Sequence, residues 1–119
     1  MIKIRRVFEP EGQDEGYRIL VDRLWPRGIS KEKAGWDEWM KDVAPSNQLR
    51  IWYNHDSAKW TEFKRLYKNE LVQKQNELQK IKQLEAKHGL LTLLYSSREK
   101  ELNNAVALKE FLSEQGNDH

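Results

Sequence analysis

One arginine-rich segment has the residue types of an anion-binding site: Asp22-Arg23-Leu24-Trp25-Pro26-Arg27-Gly28. The planar guanidinium of arginine donates paired hydrogen bonds to carboxylate and phosphate oxygens. Proline fixes its own φ and favours an extended conformation for Trp25, so the Trp-Pro step is rigid. The segment predicts a pocket in which Arg23 and Arg27 clamp an anion and Trp25 stacks on it. The alternative is that both arginines form surface ion pairs, which stabilise a protein by about 0.2 to 1 kcal/mol each.

A second polar segment, Ser96-Ser97-Arg98, directly follows an apolar stretch and precedes an amphipathic one. Ligands of α/β sheets gather at the carboxyl ends of strands, where the next helix presents free N–H groups and a partial positive charge. We expect Ser96, Ser97 and Arg98 to bind an anion there, with Asn104 close by in the helix. The alternative is that Ser97 only caps the helix and that Asn104 is exposed.

The sequence also offers a candidate acid or base, His55, beside Asp56. An imidazole oriented by a carboxylate acts as a general base near neutral pH. The alternative is that Asp56 is the N-cap of a helix and leaves His55 unoriented. The other histidines, His88 and His119, form no His-x-x-x-His pair, so we expect no metal site. No complete catalytic motif accompanies these residues.

The composition excludes several classes of mechanism. The chain has no cysteine, which rules out disulfides, a thiolate nucleophile and cysteine-ligated metal centres. We expect a cytoplasmic protein without a cofactor. The N-terminal residues lack the apolar run of a signal peptide, and no apolar stretch approaches the length of a membrane span.

The charge is balanced along the chain, with 21 Lys and Arg against 19 Asp and Glu. Neither half is markedly basic, so nucleic acid is not the favoured partner. A length of 119 residues fits one domain, residues 1–119, that buries roughly two thirds of its unfolded surface.

Apolar periodicity predicts the elements that must position these residues. Strands are predicted for residues 2–8, 17–24 and 90–95, and the last has the continuous apolar character of a buried parallel strand. Residues 36–44 fit either a strand or a helix, and we favour a strand. The prediction is an α/β fold: a single small three-layer domain with a short, mainly parallel sheet flanked by helices.

Helices are predicted after Ser46, which follows Pro45 and can act as an N-cap, and after Asp56. The second helix has apolar residues at spacings of three and four that continue to Gly89. One unbroken helix of about 31 residues would be roughly 46 Å long, too long for this domain, so we expect a break near residues 73–76. Residues 101–112 predict a last helix.

Taken in order, these segments closely resemble the YeaO-like branch of the bacterial domain-of-unknown-function 488 family. The resemblance covers nearly the whole chain and is carried by residues 16–18, 21–28, 44–46, 52–56, 92–97 and 103–105, with Trp60 and Phe63. It implies a small cytoplasmic α/β protein and brings no known substrate, cofactor or catalytic residue. Six candidates fall on the family's motif positions: Arg23, Trp25, Arg27, His55, Ser96 and Asn104.

Related branches of that family look as if they place a cysteine and a histidine after the last strand. This chain has Ser96-Ser97-Arg98 there, so the resemblance brings no thiol or metal chemistry with it.

Our first hypothesis is therefore an anionic small molecule or nucleotide bound at the carboxyl edge of the sheet, with hydrolase- or transferase-type catalysis by His55 as a further step. The second is a regulatory or interaction module that uses Arg5, Arg6, Arg18 and exposed aromatic residues to bind nucleic acid or a protein. The third is a homodimer formed through the Lys-rich helix of residues 64–87.

Overall fold

Four strands and four helices form residues 1–116, the part of the chain that the computed structural model describes. The strands are β1 (Ile2–Arg6), β2 (Tyr17–Leu20), β3 (Glu38–Trp39) and β4 (Leu91–Tyr95). The helices are α1 (Asn47–Tyr53), α2 (Trp60–Leu71), α3 (Gln75–His88) and α4 (Asn104–Gly116). His119 lies outside the described residues.

The four strands form one parallel sheet in the order β1-β4-β2-β3. Leu93 of β4 pairs with Ile4 of β1 on one side and Ile19 of β2 on the other. Every residue of β4 is buried, because the strand is central and both faces of the sheet are covered. The prediction of a buried parallel strand at residues 90–95 is confirmed.

One face of the sheet carries the helices. Leu91, Leu93 and Tyr95 of β4 belong to a single apolar core together with Ile19 and Val21. All four helices contribute to the same core, with Leu49, Tyr53, Phe63, Tyr67, Leu71, Leu78, Ile81, Ala105, Leu108, Phe111 and Leu112 among their members. The predicted α/β domain with a short parallel sheet and flanking helices is confirmed.

The opposite face is covered by irregular chain rather than by further helices. The Thr92 hydroxyl donates to the backbone oxygen of Glu15 at 2.6 Å, and the Lys3 ammonium donates to that of Asp14 at 2.9 Å. The Arg5 guanidinium forms an ion pair with the Glu15 carboxylate. The third layer that the sequence predicts is thus the segment between β1 and β2.

The helix boundaries follow local capping chemistry in most places. Ser46 Oγ accepts from Leu49 N at 3.1 Å and begins α1 as predicted. The long apolar pattern breaks after Leu71, close to the predicted position, and resumes in α3 until Gly89 at φ +77° ends it.

Several predicted boundaries are wrong, and the strand predicted for residues 2–8 already ends at Arg6. The strand predicted for residues 36–44 is β3 followed by a 3-10 turn, Lys41–Val43. The strand predicted for residues 17–24 ends at Leu20, because the chain turns after Val21 to bring the side chain of Asp22 towards β4. The last helix begins at Asn104 rather than at residue 101, and the Asn103 side chain accepts from Val106 N at 2.9 Å. None of the helices in residues 1–116 is long and apolar enough to cross a membrane.

Candidate functional site

A cleft of about 1040 Å³ opens at the carboxyl ends of β1, β2 and β4. Parallel strands direct their following loops to one edge of the sheet, which is where α/β proteins commonly bind ligands. The C-terminal end of α1 and the N-terminal end of α4 complete the walls. Polar and charged residues that line it are Arg6, Asp22, Arg23, Arg27, Arg50, Asn54, His55, Ser96, Ser97, Arg98, Glu99, Asn103 and Asn104.

The structure brings the sequence-predicted site residues together, since each of them lines this cleft. They are Arg23, Trp25, Arg27, His55, Ser96, Ser97, Arg98 and Asn104. The hydrogen-bond partners of these residues differ. Some side chains are bonded within the protein and build the cleft, whereas others have polar atoms that are available to a ligand.

Asp22 ties three elements together at the floor of the cleft. Its Oδ2 accepts from both the backbone nitrogen of Ser96, at 2.9 Å, and the hydroxyl of Ser96, at 2.7 Å. Its Oδ1 accepts from the Asn104 amide at 3.1 Å, and that amide also donates to the Val21 carbonyl at 3.0 Å. The ends of β2 and β4 are thereby fixed to the start of α4.

This arrangement changes the roles expected for two predicted ligand-binding residues. The hydroxyl proton of Ser96 and both amide protons of Asn104 already have acceptors in the protein. A ligand would have to break these bonds to use the same donors. Ser96 and Asn104 therefore fix the ends of β2 and β4 to the start of α4.

Ser97 caps a turn rather than the last helix. Its Oγ accepts from Glu99 N at 3.1 Å, and the same oxygen lies 3.4 Å from Nδ1 of His55. The alternative in which Ser97 is the N-cap of α4 is wrong, because that helix begins seven residues later. The contact with His55 joins the loop after β4 to the end of α1.

His55 sits in an unusual backbone conformation. Asn54 ends α1 at φ +45°, and His55 follows at φ +57°, so two consecutive non-glycine residues are left-handed. Such residues are uncommon and are concentrated at functional sites. Asp56 does not orient the imidazole, because its Oδ1 accepts from Ala58 N at 3.0 Å and caps the next turn. The capping alternative for Asp56 is confirmed.

Trp25 is held by a cluster of three tryptophans. Its indole N–H donates to the carbonyl of Ile29 at 2.6 Å. Its ring meets those of Trp36 and Trp39 edge-on, with centroids 4.9 and 5.5 Å apart. Only the apolar surface of Trp25 is left for a ligand, which fits the stacking role expected from the sequence.

Two of the five arginines in the cleft are fixed by backbone carbonyls. Arg6 Nε donates to Ser96 O and Ser97 O at 3.1 and 2.8 Å. Arg23 donates from Nε to Pro45 O at 2.8 Å and from Nη2 to Ala44 O at 3.2 Å. Both are half-buried, and neither forms an ion pair with a carboxylate of residues 1–116.

The remaining three, Arg27, Arg50 and Arg98, are exposed at the rim and also lack an ion-pair partner within the described chain. The three arginines outside the cleft, in contrast, all have one. Arg5 pairs with Glu15, Arg18 with Glu11 and Asp37, and Arg65 with Glu62. Among residues 1–116, guanidinium groups without a carboxylate partner are thus confined to the cleft.

A family model described as the inactive DUF488-N3 subclade matches residues 1–119. The chain belongs to this family. It is 41% identical over 111 residues to the uncharacterized protein YeaO of Escherichia coli K12, covering 93% of this chain and 96% of YeaO. The resemblance to the YeaO-like branch seen in the sequence is confirmed.

Two further relatives come from mycobacteria. The chain is 46% identical over 70 residues to the uncharacterized proteins Rv3073c of Mycobacterium tuberculosis and Mb3100c of Mycobacterium bovis, covering 59% of each protein and 59% of this chain. No solved structure matches the chain.

Tyr53 is a buried residue that lines the cleft of this protein. Its hydroxyl donates to Leu102 O at 2.8 Å. Burial raises the pKa of Tyr53, and the carboxylates of Glu99 and Asp56 raise that pKa further. The phenol therefore stays protonated at neutral pH and holds the loop before α4. Within residues 1–116, no group of three or more acidic or histidine side chains is arranged to hold a metal ion.

Sequence reasoning missed two of the arginines as members of this site. Arg6 was assigned to a separate interaction surface, and Arg50 was not singled out. The parallel pairing of Arg6 with Tyr95 places it beside the loop after β4, a placement that the order of elements alone does not predict. Arg50 reaches the cleft from α1, which lines it together with Pro45 just before the start of that helix.

Proposed function

We propose that this protein binds an anionic small molecule, carrying phosphate or carboxylate groups, in the cleft and does not convert it. The observation that carries the proposal is the distribution of arginines. All five guanidinium groups that line the cleft lack a carboxylate partner among residues 1–116, and all three outside it have one.

An anion bound in the cleft accounts for that distribution. Like charges gathered in one cavity repel each other, and ion pairs elsewhere show that acidic residues are available in the chain to offset them. A cleft lined by one sign of charge attracts ligands of the opposite sign, and fixed guanidiniums bind them bidentately.

Hydrolase- or transferase-type catalysis is left out of this proposal. Asp56 is used as a cap, so His55 has no carboxylate to orient it, and the Ser97 oxygen already accepts a backbone N–H. General-base catalysis requires a base held within hydrogen-bond reach of its substrate. The description of the subclade as inactive supports binding without turnover.

The alternative of an interaction module finds less support. Two of its three arginines, Arg5 and Arg18, are neutralised by ion pairs, whereas Arg6 belongs to the cleft. The apolar seam expected for a homodimer, including Leu71, lies inside the chain's own core. The proposal includes a cytoplasmic location, supported by the absence of cysteine.

Thermal unfolding with a panel of anions tests the proposal. The panel contains phosphate, sulfate, citrate, sugar phosphates and nucleotides, each at constant ionic strength. A ligand at 100 times its Kd stabilises the folded state by about 2.7 kcal/mol. For a domain of this size, the midpoint temperature of thermal unfolding, Tm, then rises by on the order of 10 °C.

Arg27→Ala and Arg65→Ala are matched variants, because both remove an exposed arginine and only Arg27 lines the cleft. A shift that is present in the wild type and in Arg65→Ala, and reduced in Arg27→Ala, is the expected result. Equal shifts in all three proteins would mean that the anion binds elsewhere. No shift with any anion would refute the proposal.

A further inference from the structure

We propose that the ligand is an organic diphosphate, a molecule with two linked phosphoryl groups and an attached organic part, such as a nucleoside diphosphate. This inference rests on the proposed function and adds the class of ligand. It follows from the placement of the two fixed arginines, the surplus of positive charge and the apolar part of the cleft lining.

The guanidinium of Arg6 is held in place by the protein and leaves its two terminal nitrogens free to donate to a ligand. Its Nε is engaged by the carbonyls of Ser96 and Ser97, and its guanidinium lies 4.7 Å from the centroid of the Phe8 ring. The two terminal nitrogens of Arg6 have no acceptor among residues 1–116. A guanidinium fixed in this way meets an oxyanion without losing further side-chain entropy.

The guanidinium of Arg23 is held in a similar way, but by a different loop. Its Nε and Nη2 donate to the carbonyls of Pro45 and Ala44, which precede α1, while Nη1 has no acceptor in the described part of the chain. Both residues line the same cleft, Arg6 held by the loop after β4 and Arg23 by the segment that precedes α1. The two guanidiniums are tied to different loops, so we infer two anion positions.

The charge of the cleft also exceeds what one phosphoryl group offsets. Five guanidiniums face two carboxylates, and that of Asp22 already accepts three hydrogen bonds from Ser96 and Asn104. A single phosphate carries about −1.5 to −2 at neutral pH. A second linked phosphoryl group brings additional charge to the rim, where Arg98 is exposed.

The apolar part of the lining indicates an organic group on the ligand. Leu24 and Ile51 line the cleft and are 55% and 66% exposed, and Trp25 lines it as well. An inorganic anion makes no use of such surface. The volume of about 1040 Å³ is that of a site for an organic ligand.

Isothermal titration calorimetry at fixed ionic strength, without divalent cations, tests this inference. The probes are ADP, GDP and UDP, their monophosphates, inorganic pyrophosphate and phosphate. At least one nucleoside diphosphate is expected to bind tenfold or more tightly than its monophosphate, and more tightly than pyrophosphate. Tenfold is about 1.4 kcal/mol, close to one charge-assisted hydrogen bond.

Arg6→Lys and Arg23→Lys keep the charge and remove the planar fork. Each is expected to lower the preference for diphosphate over monophosphate to less than threefold, whereas Arg65→Lys, outside the cleft, keeps it. If a fixed arginine proves necessary for folding, Arg98→Gln serves in its place, because that side chain is exposed. It should weaken diphosphate binding more than monophosphate binding.

The outcomes separate this inference from the proposed function. Monophosphates that bind within twofold of diphosphates would overturn the inference and leave anion binding intact. Pyrophosphate that binds as tightly as every nucleoside diphosphate would overturn the organic part. Absence of binding by all probes would overturn both.

Discussion

Asp22→Asn is the substitution that best tests how the cleft is built. It keeps the shape of the side chain and replaces one acceptor oxygen with a donor nitrogen. In the wild type, Asp22 accepts two hydrogen bonds from Ser96 and one from Asn104, at 2.7 to 3.1 Å. The new amide cannot accept all three.

The cost can be worked from these bonds. If the amide oxygen keeps the two bonds from Ser96, its nitrogen faces the Asn104 amide, and two donors oppose each other. Rotation of the Asn104 amide would relieve this and leave the Val21 carbonyl unpaired. One bond is lost, and two change from charged to neutral acceptors at about 1 kcal/mol each. Because the site is partly exposed, the full sum is not reached, and the free energy of unfolding should fall by about 2 to 3 kcal/mol.

Urea unfolding followed by tryptophan fluorescence measures this difference, with an unchanged slope as evidence of two-state behaviour. Asp56→Asn is the matched control. Asp56 accepts a single bond, from Ala58 N, as an N-cap, and asparagine caps about as well as aspartate. A loss below about 0.5 kcal/mol in Asp22→Asn, or a loss equal to that of the control, would refute the reasoning.

Two further predictions concern the core and the sheet. Burial raises the pKa of Tyr67 above its usual 10.0, so the stabilisation it gives is complete below pH 10 and is lost as the pH rises beyond that value. Tyr67→Phe removes the hydroxyl that donates to Val43 O at 2.7 Å, and it should lower the free energy of unfolding by about 1 to 3 kcal/mol at pH 7. The variant should also lose less stability than the wild type as the pH rises above 10. Urea unfolding from pH 7 to 11 measures both effects. Gly16→Ala should cost more than about 3 kcal/mol or abolish soluble expression, since its Cβ would lie 2.0 Å from Leu90 O. Gly89→Ala, which meets no atom within 4 Å, should cost only about 1 kcal/mol, and similar losses in both glycine variants would contradict the steric argument.

Much of the fold follows from apolar periodicity. The continuous apolar run that became β4 and the three-and-four spacing from Trp60 to Leu71 each predict the observed element, because each pattern matches how that element is buried. The start of α4 was not predictable in the same way. Asn103 caps the helix by accepting from Val106 N, which the apolar pattern alone does not reveal, and Ser96 before it is held by the tertiary contact with Asp22.

The candidate site was located by its motifs, whereas the roles of its members required the structure. Arginines and serines at strand ends predict a common edge, and the cleft gathers them there. Whether Ser96 donates to a ligand or to Asp22 depends on a contact between residues 74 positions apart. Arg6 joins the site through a strand pairing that links positions 6 and 95.

The central place of β4 in the sheet has a consequence for how the protein is made. Within the described residues, β1 has no partner strand other than β4, and β2 has besides it only the two-residue β3. During synthesis, residues 1–90 are made before the strand that pairs with β1 and β2. Their apolar side chains, such as Ile19, stay open to solvent and to chaperones until residues 91–95 arrive, and such long-range pairing folds slowly. The loops of the cleft converge in that same last step, so a ligand finds its site only on a chain that has finished folding.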